Sequence, residues 1–246
     1  NANGAKLTLK NGSVMTKNRV GNATGGGEII VDSGNYVSTT DGVFCAVGTG
    51  SKVTVNGGEI SGQDGGLGAF DGAAIEVNGG EVTSADNFAI WTNGKAGRGG
   101  NTIVVNGGYL EGNIQTAGYE AIGVYIANND TFIMNGGEIV ANGGTGLCMR
   151  AGFVTINDGR ITATNVNKQG EIVADGMIGD SSVVMTGCSA IIYHESANYP
   201  GKSGMELTVN GGTITGVDHA ISVLSNEETP NVHVNGGTFT PAYPEP

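Results

Sequence analysis

The chain has 246 residues, 46 of them glycine, and a formal net charge of −12 from 11 basic against 23 acidic side chains. With no Lys/Arg cluster, nucleic acid and anionic membrane surfaces are poor partners, and neither nucleic-acid binding nor membrane insertion is expected. No apolar run approaches the ~18 residues that a membrane-spanning helix needs. The glycines have no Gly-X-Y period, which excludes collagen, and β-branched residues at regular places argue against disorder.

The chain opens Asn1-Ala2-Asn3-Gly4, without Met or signal peptide, and reads as a mature form or a module of a larger chain. A short unit then recurs. It begins degenerate, as Leu9-Lys10-Asn11-Gly12-Ser13-Val14 and Val31-Asp32-Ser33-Gly34-Asn35-Tyr36. It sharpens to Val55-Asn56-Gly57-Gly58-Glu59-Ile60, Val77-Asn78-Gly79-Gly80-Glu81-Val82, Val105-Asn106-Gly107-Gly108-Tyr109-Leu110 and Met134-Asn135-Gly136-Gly137-Glu138-Ile139. Ile156-Asn157-Asp158-Gly159-Arg160-Ile161 loses one glycine, and Met185-Thr186-Gly187-Cys188-Ser189-Ala190 keeps only the apolar frame. Val209-Asn210-Gly211-Gly212-Thr213-Ile214 and Val234-Asn235-Gly236-Gly237-Thr238-Phe239 close the series of ten, at spacings of 22 to 29 residues. Such a period signals a solenoid, whose coils bury their apolar faces only by stacking.

Each unit follows an alternating stretch such as Lys52-Val53-Thr54-Val55 or Glu206-Leu207-Thr208-Val209, which reads as a strand with one buried face. Asn-Gly-Gly turns the chain, because Asn and Gly tolerate positive φ. A second short strand follows. The same pattern also signals a β-hairpin. A third apolar segment in most coils, such as Val43 to Val47, Phe88 to Trp91, Ile122 to Ile126 and Ala220 to Leu224, favours three strands per coil and a parallel β-helix. Residues 1–240 are read as one domain, with loops around 94–100, 111–120, 165–175 and 197–202, and 241–246 as a Pro-rich tail or linker.

These residues resemble the right-handed parallel β-helix proteins of the pectin-lyase-like superfamily, most closely the NGG-x-[IV] repeats of bacterial secreted and cell-surface adhesin-like proteins. The resemblance spans residues 5–240. It implies an all-β, right-handed, single-stranded parallel β-helix of about ten coils, with an extracellular or cell-surface location. It also implies that Asn56, Asn78, Asn106, Asn135, Asn157, Asn210 and Asn235 stack as a ladder, which Lys10, Asp32 and Thr186 interrupt. No amphipathic helix is present to cap the N-terminal end, as the pectin lyases have.

Candidate sites lie in what varies. Glu59 and Glu81 should sit one coil apart, an arrangement that suits either a solvated surface or a Ca²⁺ site; no other cofactor is implied. The acidic set Asp41, Asp86, Glu120, Asp175 and Asp218 is accounted for by turn chemistry. Gly65 to Asp71 only approximates a calcium-binding nonapeptide. Strict alternation with Val43, Cys45, Phe88, Ile90, Ile122, Val124, Leu147 and Met149 inward leaves Phe44, Trp91, Tyr125 and Arg150 outward, joined by Phe70. Such a strip suits a sugar ring or a host or cell-surface protein, unless a loop such as 94–101 covers it. Cys45, Cys148 and Cys188 form no metal or disulfide pattern.

The β-helix enzyme motifs of polygalacturonases and pectate lyases are missing. Val217-Asp218-His219 is a faint echo; His194 and His219 are the histidines to inspect, and His233 alternates outward on a strand. The expectation is therefore a non-catalytic module for adhesion, glycan binding or rigid spacing. The alternative is a polysaccharide-degrading hydrolase or lyase.

Overall fold

In the computed structural model, residues 1–115, 121–171, 188–195, 199, 204–225 and 229–241 are described. They are all β, without a helix, and form three nine-stranded parallel sheets. Each coil contributes one strand to each sheet in the chain order A, B, C. Sheet A stacks Ala2–Asn3, Gly21–Thr24, Gly42–Val47, Gly65–Phe70, Asn87–Trp91, Ala121–Ile126, Gly144–Met149, Ile191–His194 and Ile221–Leu224. Sheet B holds the strand before each turn motif, from Lys6–Leu9 to Val232–Val234, and sheet C the strand after it, from Gly12–Thr16 to Thr238–Pro241. Nine coils at the ~4.8 Å strand spacing make a rod about 40 Å long.

The stacking is in register. Val53, Ile75, Ile103, Phe132, Val154 and Leu207 form one inward column of sheet B. Ile60, Val82, Leu110, Ile139, Ile161 and Ile214 form one of sheet C. Both columns lie in the main apolar core. At the turn between these sheets the second glycine takes a positive φ, +82° to +90° at Gly58, Gly80, Gly108, Gly137 and Gly212. A Cβ there would come within 2.7–2.9 Å of a glycine carbonyl in the preceding coil. The unit thus encodes a left-handed backbone and a close coil-to-coil approach together.

The asparagine ladder forms. Asn56 Nδ2 donates to Asp32 Oδ1 at 2.8 Å, and each later asparagine donates to Oδ1 of the one before it at 2.8–2.9 Å, up to Asn235 on Asn210. Lys10 and Asp32 do not disturb the ladder but found it. The Asp32 carboxylate only accepts, so it sets the direction of every amide above it, and Lys10 Nζ lies 3.3 Å from its other oxygen. The Asn56 bond and then Lys10 hold the Asp32 carboxyl below its usual range.

One expected coil is absent from the stack. Asn210 bonds Asn157 directly, 53 residues back. Gly144–Met149 pairs Ile191–His194, Phe153–Ile156 pairs Glu206–Val209, and Arg160–Thr164 pairs Thr213–Gly216. Among the described residues no strand of sheet B or C lies between Arg160–Thr164 and Ile191–His194; Met185, Thr186 and Gly187, with Glu120 and Asp175, lie outside the described residues, and Cys188 to Ala190 lead into sheet A. With neither Asn nor a Gly-Gly pair, that unit lacks the turn chemistry of the others. Both end coils expose apolar side chains: Leu7, Val14 and Met15 at one end, Val234 and Phe239 at the other. Asp218, His219, Ile221, Val234 and Phe239 border a depression of about 480 Å³ at the second end.

Candidate functional site

Strict alternation fails at one corner of sheet A, and this rearranges the candidate residues. Gly65 pairs Phe88 and Leu67 pairs Ile90, while Gly66 and Ala89 between them lie out of pair. The next coils repeat the pattern, with Phe88 on Ile122 and Ile90 on Val124. The unpaired position turns toward the core, where sheet C side chains already fill the space. A Cβ on Gly66 would lie 2.3 Å from Val82 Cγ1, and one on Gly123 would lie 2.2 Å from Ile139 Cγ2.

Phe44 is consequently inward. It is 1% exposed and meets Tyr36 edge-on, with ring centroids 5.6 Å apart. It lines up with Leu67, Ile90, Val124 and Leu147 in the core. Phe88 and Ile122, expected inside, pack on the outer face with Tyr125, Cys148, Ile192 and Trp91. Cys45 shares the outer column of Gly68, Trp91, Tyr125 and Cys148. All three cysteines are buried and none forms a disulfide, and burial pushes the Cys45 thiol up to about 12, which leaves it inert at neutral pH.

Trp91 and Tyr125 do point outward. The indole lies across a floor of glycines: a Cβ on Gly42, Gly65 or Gly68 would come within 2.2, 2.5 or 2.8 Å of its ring. Phe70 meets the indole edge-on at 6.1 Å, and Phe88 stacks obliquely on Tyr125 at 5.0 Å. Trp91 and Phe88 remain half-buried. The 94–101 loop borders the aromatic group, with Gly94 against the Tyr199 ring. It places Arg98 over the Phe70 ring at 5.1 Å and pairs Arg98 with Asp71 at 2.8 Å. Tyr199 lies over Tyr125 and Arg150: its hydroxyl is 3.1 Å from that of Tyr125 and its ring 5.4 Å from the Arg150 guanidinium.

Arg150 is 2% exposed, and its Nε and Nη1 have no hydrogen-bond partner. Among the described residues no carboxylate pairs with it. Leaving such a charge unpaired costs several kcal/mol, and a desolvated cation–π contact offsets about 2 kcal/mol. One residue past the Met149–Tyr193 pair, Arg150 stands level with His194. Burial, and then the Arg150 charge, push the His194 imidazole down to about 4, and its Nδ1 also lacks a partner. The other two histidines are exposed; His233 Nε2 lies 2.7 Å from Asn231 Oδ1.

Glu59 and Glu81 are register partners in sheet C, and Asn35 Nδ2 donates to Glu59 Oε2 at 3.3 Å. They line a shallow depression of about 320 Å³. Both are exposed, and among the described residues no three His, Cys, Asp or Glu side chains converge on a point suited to a metal ion. Asp41 stands level with Asp64 rather than Asp86 and pairs with Arg19 at 3.0 Å. Asp86 accepts from Gln63 at 2.8 Å and from the Gln115 amide at 2.7 Å.

Sequence reasoning missed a buried carboxylate. Glu111, 5% exposed on the outer side of sheet C, accepts from Tyr109 Oη at 2.6 Å, from Asn113 Nδ2 at 2.7 Å and from Lys168. Burial alone would raise its pKa; the bonds from Asn113, Lys168 and Tyr109 outweigh that and hold it down. Lys168 and Tyr199 reach their partners from insertions, at separations no periodicity announces. The glycine floor left a trace: Gly42 and Gly65 are 23 residues apart, one coil length. No known protein family, curated protein or solved structure matches the chain.

Proposed function

We propose that this chain is a non-catalytic module, secreted or held at a cell surface, that presents the outer face of sheet A to a glycan while serving as a rigid spacer. One observation carries the reading: Phe70, Phe88, Trp91, Tyr125 and Tyr199 gather on that one face, with the indole held flat on glycines. A rigid aromatic surface in which Phe88, Trp91 and Tyr199 are half-buried over buried Phe70 and Tyr125 suits the apolar face of a sugar ring, since it loses little side-chain entropy on contact. The resemblance to adhesin-like repeats agrees with this reading.

Polysaccharide cleavage is the competing reading. A glycosidase needs two facing carboxylates with room for the glycosidic bond. Here Glu59 and Glu81 stand side by side in one exposed column, and Glu111 is occupied by Lys168, Tyr109 and Asn113. Both features support binding over hydrolysis.

A glycan array probed with the wild type and with Trp91→Ala tests the proposal. Binding to a defined glycan group, weakened at least about tenfold by the substitution, is expected. Absence of binding, or binding indifferent to Trp91, overturns it. New reducing ends or unsaturated products from a polysaccharide panel would transfer the assignment to the enzyme reading.

A further inference from the structure

We infer that Arg150 and His194 form a binding site for one carboxylate group, so that the glycan held on this face is an acidic sugar. The inference deepens the binding role proposed above and rests on it for the sugar, though not for the carboxylate. Two guanidinium donors, Arg150 Nε and Nη1, and one ring nitrogen, His194 Nδ1, which donates once the imidazole is protonated, lie unpartnered side by side at the outer edge of sheet A. Arg150 is 2% exposed, and among the described residues its guanidinium meets the Tyr199 ring and no carboxylate. Unused donors and an uncompensated cation call for a group that accepts hydrogen bonds and carries negative charge, and a carboxylate does both.

The surroundings leave that role open. Ala127 lies beside Arg150 one coil earlier, and Leu224 pairs His194 one coil later; neither can supply a counter-charge. Glu195 follows His194 in the chain, and its Oε2 accepts from Ser225 Oγ at 3.1 Å. Among the described residues Arg150 and Glu195 are the charged groups that act on His194, in opposite senses. A carboxylate placed between Arg150 and His194 would cancel the first and favour the imidazolium, so binding should take up a proton below pH 6.5. The Phe88–Tyr125–Tyr199 group adjoins the guanidinium, which places a sugar ring beside its own carboxylate.

The test is a titration of the whole chain with sodium acetate, sodium glucuronate and glucose at constant ionic strength and pH 5.5, read by calorimetry and by the His194 ring proton in NMR. Glucuronate is expected to bind at least tenfold more tightly than glucose, with acetate giving a weaker effect at the same residue and the His194 pKa rising by one or more units. Arg150→Met should abolish the acetate and glucuronate responses. His194→Gln, on a half-buried side chain, should keep the fold, retain part of the affinity and lose the proton uptake. If wild type shows no preference for glucuronate or acetate over glucose, or if His194→Gln leaves the proton uptake intact, the carboxylate site is refuted. A Trp91-dependent affinity for neutral glycans that persists in that case leaves the aromatic platform standing alone. An acetate response without any glycan binding leaves the carboxylate site standing and removes the platform.

Discussion

Asn106 illustrates how much a surface residue does in this fold. It donates to Asn78 and accepts from Asn135, both at 2.8 Å. Asn106→Ala removes both bonds and is expected to lower stability by about 1–2 kcal/mol in urea titration. Asn106→Asp should be worse, although it is the smaller change. An aspartate cannot donate to Asn78, and two oxygens would face each other; at position 32 the same carboxylate is tolerated because it ends the row beside Lys10. His194 gives the pH dependence. An unfolded imidazole takes up its proton near 6.5, whereas the folded one does so at about 4, so the unfolded state binds more protons between those values. His194 therefore contributes stability that is full above pH 6.5 and lost as pH falls toward 4. Thermal midpoints across this window should flatten in His194→Gln. Phe44, read from sequence as a ligand contact, should behave as core. Phe44→Ala is expected to lower stability by about 3–5 kcal/mol, measured by denaturant unfolding, whereas Trp91→Ala should lower binding more than stability.

At the scale of the strand, sequence carried the spacing and missed the corner. Sheets B and C were legible because inward and outward side chains alternate without a break, as in Val53, Thr54 and Val55. Sheet A was misread because Gly66, Ala89 and Gly123 each insert an unpaired inward residue, and alternation resumes in the opposite phase. Nothing in one coil's composition reveals such a step; it exists because Val82 and Ile139 from another sheet occupy the space. Gly123→Ala should therefore be destabilising, by about 1–3 kcal/mol, as overpacked cores are. Gly65→Ala offers the contrast. Its Cβ would meet the half-exposed Trp91 ring at 2.5 Å, and a ring at the surface can move aside. A small stability change with an altered emission spectrum is expected, and the chain's single tryptophan makes that signal unambiguous.

Across the whole molecule, ten motifs became nine coils because a motif is a turn, and a turn makes a coil only when three strands find their partners. The unit at Met185 has the apolar frame without the asparagine and paired glycines, and all three sheets close past it. The site shows the same limit. Trp91 and Tyr125 could be placed from their own strands, whereas Tyr199, 74 residues from Tyr125, could not. Each coil touches only its neighbours, so protection should grade along the rod. Amide exchange is expected to be fastest in the first and last coils, which expose Leu7, Met15, Val234 and Phe239, and slowest around Ile103 and Phe132.

The direct bond between Asn157 and Asn210 has a mechanical meaning. Hydrogen bonds between coils lie along the rod, so a pull on its ends loads them lengthwise and peels off one coil at a time. A coil of 24 residues would release about 80 Å of chain. The ladder step from Asn157 to Asn210 spans 53 residues of sequence, about 180 Å when fully extended. A force–extension trace of the tethered module should therefore show steps of roughly 70–100 Å and a single longer one of about 180 Å.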